Sequence, residues 1–230
     1  MLETWRKGPS SEAEAAALAL GGRFARLKLG LSAGIKLALN TDDTTQVFYL
    51  ARALDQQSLP RLRDRLMQTE SGRSLLARRP AIDRTSVDFD ALRRLPEDSL
   101  GGAYVCMLDR NGLTPDIFQR PPGLPEDLAW VGQRIRQTHD LWHVLTGLST
   151  DVTGEIALQA FTYAQLRLRL SRVLAVHGVL IFTPTRPRTF GLARKWYARG
   201  QKASFLLEVP WEQRWAEPLE NVRRELGLAA

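Results

Sequence analysis

The chain is 230 residues long, and its 44% of hydrophobic and 25% of charged residues exclude a disordered or fibrous protein. This length is enough for one domain with a sizeable core, or for two small domains at most. The net charge of +7 and the pI near 10.1 favour anionic partners, which include nucleic acid, an acidic membrane face and a small anionic ligand; arginines on a solvated surface would give the same balance.

The predicted elements of the first half are helices separated by proline, glycine and capping residues. Residues 1–22 are predicted to form a flexible N-terminal arm, and residues 23–230 a single helical domain. Helical spacing of hydrophobic residues, with start and stop signals around it, predicts helices at 24–39, 46–54, 59–68, 71–79 and 100–109. Residues 80–98 are predicted to be a connection, and the proline-rich residues 114–125 a rigid loop.

The second half is predicted to be mostly helical as well. We expect long helices at 126–146 and 151–175, a basic helix at 192–203, a short strand at 204–209 and a last amphipathic helix at 211–226. Strands and helices do not alternate along the chain, so the predicted fold is an all-α, single-domain helical bundle.

Membrane and secretory classes are disfavoured by three features of the chain. The longest strongly apolar stretch, residues 173–182, is far shorter than the about 20 residues that a membrane-spanning helix needs. The first 20 residues lack the continuous apolar block of a signal peptide. Because Cys106 is the single cysteine, we expect no internal disulfide and a cytoplasmic location.

Two of the three histidines lie in the segment His139-Asp140-Leu-Trp-His143. Each residue turns about 100° around a helix, so the His143 side chain lies about 40° from that of His139. The Asp140 side chain lies about 100° from that of His139, on the far side of His143. Two imidazoles and a carboxylate within one helical turn suit a first-row divalent metal ion. A His-x-x-x-His pair by itself also occurs in helices where the rings merely pack.

A fourth candidate ligand, Glu155, follows from the geometry of a helical hairpin. Gly147 is a natural helix stop, and residues 149–151 offer capping side chains for the next helix. A connection this short makes the two helices antiparallel. His143 then lies about one turn, or about 6 Å, before this connection, and Glu155 lies about the same distance after it, so that the two side chains face each other. The sequence thus predicts a metal site between these helices, formed by His139, Asp140, His143 and Glu155.

The mixed nitrogen and oxygen donors accept zinc, iron, manganese or magnesium, and they leave room for water or a ligand. The pattern differs from the zinc-protease signature, in which a glutamate directly follows the first histidine, so peptidase activity is not expected. A metal phosphohydrolase related to His-Asp domains is a further hypothesis. It would need His177 as an additional ligand, whereas the apolar neighbours of His177 predict a core histidine.

The spacing His-Asp-x-x-His, eleven residues and Glu resembles the ubiquinone (coenzyme Q) biosynthesis protein four family. The matching segment is HDLWHVLTGLSTDVTGE, which continues as IALQAF. Three other segments resemble the family in the right order: LPEDSLGGAYVCMLDRNGLTPD at 95–116, the basic residues 196–203, and WEQRWAEPLENVRRELGL near the C-terminus. The resemblance covers residues 30–228.

This resemblance implies that His139, Asp140, His143 and Glu155 are both metal ligands and catalytic residues, with zinc as the favoured metal. It implies a metal-dependent oxidative decarboxylase, or lyase, of ubiquinone biosynthesis. Its substrate would be a polyprenylated hydroxybenzoate-type lipid, which loses the carboxyl at ring carbon one and is hydroxylated there. Other ubiquinone-biosynthesis proteins and peripheral contact with the inner face of the membrane are implied as partners, and a homodimer stays open. The alternative is a non-catalytic lipid-binding scaffold that organises a ubiquinone-biosynthesis complex.

Two stretches are candidates for contact with a lipid. A prenyl tail would need an apolar trough, for which residues 156–161 and 173–182 are candidates, although both also suit an ordinary core. Residues 186–202 hold six cations and no acid, and Trp196 and Tyr197 lie among the cations, which favours an anionic membrane surface. An anionic head of the substrate and a solvated face are alternatives, and without a recognised motif nucleic acid is not expected. The candidate contacts are Arg194, Lys195, Arg199 and Lys202.

Overall fold

A computed structural model describes residues 54, 55, 57–114, 116, 120 and 123–229 of the protein. Ten α-helices follow one another in this part of the chain. They are α1 (Ser58–Leu66), α2 (Glu70–Arg78), α3 (Phe89–Arg93), α4 (Leu100–Asn111), α5 (Glu126–Gln137), α6 (His139–Thr146), α7 (Val152–Leu166), α8 (Arg169–Phe182), α9 (Arg188–Lys202) and α10 (Leu219–Glu225). The all-α prediction is confirmed, because no strand occurs among the described residues.

Some predictions fall outside the described part. The arm at 1–22 and the helix at 24–39 lie outside it, as does nearly all of the helix at 46–54. Among the described residues, no helix is long and apolar enough to cross a membrane.

Helix α7 is the centre of the arrangement and packs against both α8 and α9. Glycines allow the close approach on both sides. A Cβ added at Gly178 of α8 would lie 2.5 Å from the Ile156 side chain, and one at Gly200 of α9 would lie 2.8 Å from the Cβ of Ala164. Because Gly178 lies near the end of α8 and meets the start of α7, α8 runs antiparallel to α7, while α9 runs parallel to it.

Three aromatic rings connect α6, α7 and α9 inside the core. Trp142 and Phe161 are in edge-to-face contact with ring centroids 5.8 Å apart, and Phe161 and Trp196 are 5.9 Å apart in the same manner. All three side chains are buried. Edge-to-face packing of buried rings stabilises a particular orientation, so the helix with the two histidines has a fixed position against α7.

The helix predicted at 126–146 is divided into α5 and α6 at Thr138. The Thr138 hydroxyl donates a hydrogen bond to the carbonyl oxygen of Arg134 at 2.8 Å. A side-chain hydroxyl that bonds to the carbonyl four residues earlier competes with the backbone and often bends a helix. The segment that carries His139 and His143 therefore forms a separate helix, which begins at His139.

The helix predicted at 151–175 ends instead at Leu166. Arg167 has a left-handed backbone with φ of 54°, which ends α7 without a glycine. The Arg61 guanidinium donates a hydrogen bond to the Leu166 carbonyl oxygen at 2.8 Å and satisfies one acceptor left at the helix end. This stop lets α8 turn back along α7.

The strand predicted at 204–209 is wrong, because this segment forms a 3-10 turn at Leu206–Glu208. Arg134, which is only 1% exposed, donates to the carbonyl oxygen of Val209 at 2.7 Å and pairs with Glu212 at 2.6 Å. A buried guanidinium thus satisfies carbonyl groups that a sheet would otherwise have to pair.

The remaining differences are at short elements. The connection predicted at 80–98 contains α3, whose N-terminus is capped by the Asp88 side chain, an acceptor for the Ala91 N–H. The helix predicted at 211–226 is reduced to a 3-10 turn at Trp211–Gln213 and to α10. Pro218 directly precedes α10 and favours the helix start there.

Candidate metal centre

Helix α6 carries both histidines of the motif, and its C-terminal end is held by contacts from the end of the chain. Gly147 ends the helix with φ of 69°, a backbone conformation that glycine adopts without strain. Arg223 of α10 donates to the carbonyl oxygens of Val144 at 2.8 Å and Leu145 at 3.0 Å. These are acceptors without partners in the helix itself, so Arg223 caps α6.

A tight turn joins α6 to α7 and places Glu155 in the first turn of α7. The Asp151 side chain accepts a hydrogen bond from the Gly154 N–H at 2.9 Å and caps the new helix. A Cβ added at Gly154 would lie only 2.0 Å from the Ser149 carbonyl oxygen. The residue before Glu155 therefore has to be glycine for this turn to keep its shape.

The structure brings His139, His143 and Glu155 together across the hairpin. The Nε2 atom of His143 lies 3.0 Å from Oε1 of Glu155, and Nε2 of His139 lies 3.4 Å from Oε2. One donor atom from each of the three residues lies within 4.8 Å of the others. The His143 side chain is 1% exposed, whereas those of His139 and Glu155 are 20% and 27% exposed, so the group opens to solvent on one side.

The His143 ring has a hydrogen-bonding pattern that suits a cation. Its Nδ1 lies 3.1 Å from the Leu148 carbonyl oxygen, which can only accept, so Nδ1 is the donor. In the neutral ring this leaves a lone pair on Nε2, which is buried and has no hydrogen-bond partner among the described residues. A metal ion held between this lone pair and the carboxylate oxygen, which lies 3.0 Å from Nε2, would be bound by both atoms. Metal-binding histidines commonly donate their other N–H to a carbonyl in this way.

The spacing of the three donors also fits a metal ion. Nitrogen and oxygen ligands lie about 2.0–2.2 Å from zinc, which in tetrahedral geometry puts neighbouring ligand atoms about 3.3–3.6 Å apart. Of the two imidazole–carboxylate distances, the 3.4 Å one falls in that range and the 3.0 Å one is a few tenths of an ångström shorter, so a small outward movement of Glu155 from His143 would accommodate the ion. We call His139, His143 and Glu155 the donor trio.

The electrostatics of the donor trio favour an ionised carboxylate. Burial opposes the charge of Glu155, but its short contacts to His139 and His143 outweigh this effect and lower the pKa of Glu155 to about 2. Burial likewise opposes the charged form of His139, yet the Glu155 carboxylate and the charge of Asp140 raise the pKa of His139 above its ordinary value. Without a metal ion, these contacts therefore favour the charged forms of both His139 and Glu155.

Asp140, also predicted as a ligand, is buried beside the trio but is not one of its members. Burial raises the pKa of the Asp140 carboxyl, and the charges of His139 and His143 act in the opposite direction. The buried hydroxyl of Tyr104 on α4 has no hydrogen-bond partner among the described residues, and burial together with the charge of Asp140 raises its pKa. The Asp140 carboxyl thus lies within electrostatic reach of both imidazoles.

The four basic residues predicted to contact a membrane or substrate lie on α9, and the structure does not bring them to the donor trio. Thr189, at the start of α9, lies beside Thr153 near Glu155, with hydroxyl oxygens 3.4 Å apart. The helix then follows α7 away from the trio. Three of the four side chains are exposed, and the Arg199 guanidinium lies over the Trp196 ring at 5.0 Å. The four residues are Arg194, Lys195, Arg199 and Lys202.

His177, predicted as a core histidine, is exposed on α8 and is outside the donor trio. The prediction failed because its apolar neighbours, Val173 and Val176, are themselves exposed. The phosphohydrolase hypothesis needed a third histidine at the metal, and the described residues do not place one there.

Sequence reasoning missed the glycine that the site needs, although a signal was present. In Asp151-Val-Thr-Gly154, a capping residue is followed three positions later by glycine. The same spacing occurs at Thr69 and Gly72, and at Ser99 and Gly102, where an added Cβ would lie 2.1 Å from a carbonyl oxygen of the preceding turn. The cap and the glycine together mark a sharp entry into a helix.

Comparison with known proteins supports the resemblance seen in the motif. The family model for the coenzyme Q (ubiquinone) biosynthesis protein Coq4 matches residues 21–230. The chain belongs to this family. The Laccaria bicolor protein named ubiquinone biosynthesis protein COQ4, mitochondrial, is 35% identical over 174 residues, which are 74% of this chain and 59% of the relative. The COQ4 homolog of Danio rerio, also named mitochondrial, is 32% identical over 223 residues, or 96% of this chain and 78% of the relative.

A solved structure of a ubiquinone biosynthesis protein from Nostoc punctiforme has the same fold. Its TM-score to this chain is 0.69 at 27% sequence identity, and the match covers 88% of this chain and 98% of that one. The chain spans less than two thirds of the length of several fungal relatives of the Coq4 family.

Proposed function

We propose that this Coq4-family protein acts in ubiquinone biosynthesis as a metal-dependent enzyme. Its substrate would be a polyprenylated hydroxybenzoate-type lipid, from which it removes the carboxyl at ring carbon one and introduces a hydroxyl there. The observation that carries the proposal is the donor trio, in which a buried imidazole nitrogen faces a carboxylate within a chain of this family. Other ubiquinone-biosynthesis proteins are the proposed partners.

His139, His143 and Glu155 would hold the metal ion, with zinc proposed first and iron, manganese or magnesium as alternatives. Asp140 would balance the charge beside them. A bound metal ion supplies Lewis-acid stabilisation of negative charge on the oxygens of the substrate. His143 is fixed by Leu148, while the partly exposed His139 and Glu155 leave one side of the trio open for the substrate.

The overall conversion sets further requirements. Replacing a ring carboxyl by a hydroxyl releases carbon dioxide and is a two-electron oxidation, so dioxygen or another oxidant is a necessary co-substrate. His143 is only 1% exposed, so one side of the trio lies in the interior of the protein. A low-dielectric wall of this kind strengthens the attraction between a cation and the substrate carboxylate.

Deletion of the gene is expected to lower ubiquinone and to accumulate a prenylated precursor that still carries its ring carboxyl. Lipid extracts analysed by mass spectrometry measure both compounds, and expression of the wild-type protein from a plasmid is the control. Normal ubiquinone without an accumulated precursor in the deletion strain would contradict the proposed function.

Metal binding is expected to weaken as the pH falls. The weakening should begin at a pH above 6.5, the ordinary pKa of histidine, because the pKa of His139 is raised. A metal ion must displace the proton from His139, whose pKa is raised, whereas Glu155 stays ionised down to a pKa of about 2. The apparent zinc affinity should fall about tenfold per pH unit once His139 is protonated.

Competition with a coloured chelator between about pH 8 and pH 6, the range in which histidine titrates, measures this dependence. His177→Ala is the matched control, because it removes an exposed histidine outside the trio and should leave the profile unchanged. A constant affinity over this range would show that no proton is displaced.

A further inference from the structure

Helix α8 presents a row of large apolar side chains to solvent, which we call the α8 ridge. It consists of Val173, Val176, Leu180 and Ile181, which are 41%, 55%, 70% and 51% exposed. Among the described residues, just two other large hydrophobic side chains are this exposed, and one of them, Phe190, lies at the start of the adjoining α9. Exposed apolar residues that form a continuous patch commonly mark an interaction surface.

The ridge faces solvent because the opposite side of α8 packs against α7. That side carries the small buried residues Ser171, Ala175 and Gly178, which face α7. A Cβ at Gly178 would already lie 2.5 Å from Ile156, so the contact has no room for a larger side chain. The helix cannot rotate to bury its large residues, because they would then have to enter this contact.

Four arginines line a cleft at the N-terminal end of the ridge. The cleft has a volume of about 590 Å³, and Val173 of the ridge is among its lining residues. We call it the arginine cleft; it is lined by Arg61, Arg167, Arg169 and Arg172.

Two of these arginines are available to a ligand. The side chains of Arg169 and Arg172 have no hydrogen bond or ion pair with another described residue. Among the described residues, Asp55 contacts this end of α8, and its carboxylate accepts hydrogen bonds from the backbone N–H groups of Arg169 and Leu170 and from the Ser58 hydroxyl rather than from an arginine side chain. The arginine cleft is therefore positively charged and suited to an anion.

The charged residues of the segment that contains α8 and α9 are all basic. No acidic residue occurs between Glu155 and Glu208, and the cations in this segment continue beyond the ridge with Arg186 and Arg188 and along α9. Cations thus lie at both ends of an exposed apolar helix face. This combination is typical of helices that lie in the interface of an anionic membrane, with apolar side chains below the headgroups and cations beside the phosphates.

We propose that the α8 ridge docks onto an anionic phospholipid bilayer and that the arginine cleft holds a headgroup phosphate. The inference rests on the proposed action on a membrane lipid, and it assigns the docking to α8 rather than to the α9 cations. A second copy of the chain fits this surface less well, because two such faces would bring like charges together. With 14 residues, α8 is too short to span the bilayer and lies along it.

Docking through α8 would put the donor trio close to the membrane. Gly178 meets Ile156, the residue after Glu155, and Leu180 lies half a turn further along α8. Packed helices are about 8–10 Å apart, so the C-terminal half of the ridge lies about one helix diameter from the trio. A substrate with its prenyl tail in the bilayer could thus reach the trio with its ring without leaving the membrane.

Vesicle sedimentation of the full-length protein tests this proposal. The vesicles are phosphatidylcholine alone and phosphatidylcholine with about one third phosphatidylglycerol. The double variant Arg169→Gln/Arg172→Gln is expected to bind the anionic vesicles about twentyfold more weakly than the wild type, with little change on the neutral ones. The double variant Leu180→Gln/Ile181→Gln should lose about tenfold on both.

Two matched controls accompany these variants. Arg194→Gln/Lys195→Gln removes the same charge from exposed positions of α9 and should lose less than about fivefold. Met67→Gln removes an exposed apolar side chain of α1 and should bind like the wild type. The melting temperature and circular dichroism of each variant establish that it is folded.

Three results would overturn the proposal: no binding of the wild type to anionic vesicles, an equal loss in the α9 variant, or a ridge variant that turns a dimer into a monomer and binds vesicles normally. The last result would assign the ridge to a second copy. Since the assay uses neither metal nor precursor, failure of the proposed chemistry would leave its outcome unchanged.

Discussion

Replacing His143 with alanine is expected to abolish ubiquinone formation while the protein stays folded. The imidazole is the buried member of the donor trio, and its Nε2 has no partner other than the facing carboxylate. Its removal takes away one of three donors and should lower metal affinity by more than about 100-fold, since even residues behind a ligand contribute 10- to 100-fold. The unpaired Leu148 carbonyl would cost about 1–3 kcal/mol, which leaves a typical domain folded.

The measurement is rescue of the deletion strain, with ubiquinone and its carboxylated precursor quantified in lipid extracts. His177→Ala, which removes the exposed histidine of α8, should rescue like the wild type. The same experiment separates the enzyme from a non-catalytic scaffold. A folded His143→Ala protein that still binds its pathway partners but makes no ubiquinone supports the enzyme. Full rescue by His143→Ala would contradict a working metal at this site.

Replacing Gly154 with alanine is the second change with a large expected effect. The new Cβ would lie 2.0 Å from the Ser149 carbonyl oxygen, so the turn between α6 and α7 has to move. Inserting a methyl group into a tightly packed position costs about 1–3 kcal/mol. Because Glu155 is the next residue, the carboxylate should also shift away from the imidazoles, and zinc affinity should fall by more than about tenfold.

Thermal denaturation and chelator competition measure the two effects of Gly154→Ala. Gly191→Ala is the matched control, because a Cβ at this glycine of α9 would meet no atom within 4 Å. This control should keep its zinc affinity and gain up to about 1 kcal/mol of stability, as alanine favours a helix more than glycine does. Equal zinc affinities for the two variants would show that the turn does not position Glu155.

The hairpin around the donor trio could be predicted from sequence because its signals are local. Gly147 as a helix stop and Asp151 as a helix cap are short-range features, and the structure has both. The helical spacing of His139 and His143 and the distance to Glu155 then follow from the rise per residue. The structure brings these three side chains together, whereas Asp140 lies outside the group. The prediction considered only the direction of each side chain around the helix, and not that the Asp140 side chain is shorter than those of the other three residues.

The helix ends and the false strand were not predictable in the same way, because residues distant in sequence decide them. The guanidinium of Arg61 satisfies the carbonyl at the end of α7, and that of Arg134 satisfies those of the segment predicted as a strand. Both partners lie more than 70 residues away along the chain. Local propensity cannot anticipate such contacts.

The exposure of α8 was also not predicted, although the sequence contains a signal for it. The apolar run at 173–182 suits a core, but the small residues Ser171, Ala175 and Gly178 take the place against α7. Large apolar residues then remain on the other face. The pattern of small residues at helical spacing inside an apolar run was the available signal.

The most direct test of the donor trio is the position of a metal ion in a crystal of the metal-loaded protein. An anomalous difference map recorded at the absorption edge of zinc should show one strong peak at about 2.0–2.2 Å from Nε2 of His139, Nε2 of His143 and a carboxylate oxygen of Glu155. A map with no peak there, or with the metal bound away from Glu155, would contradict the account.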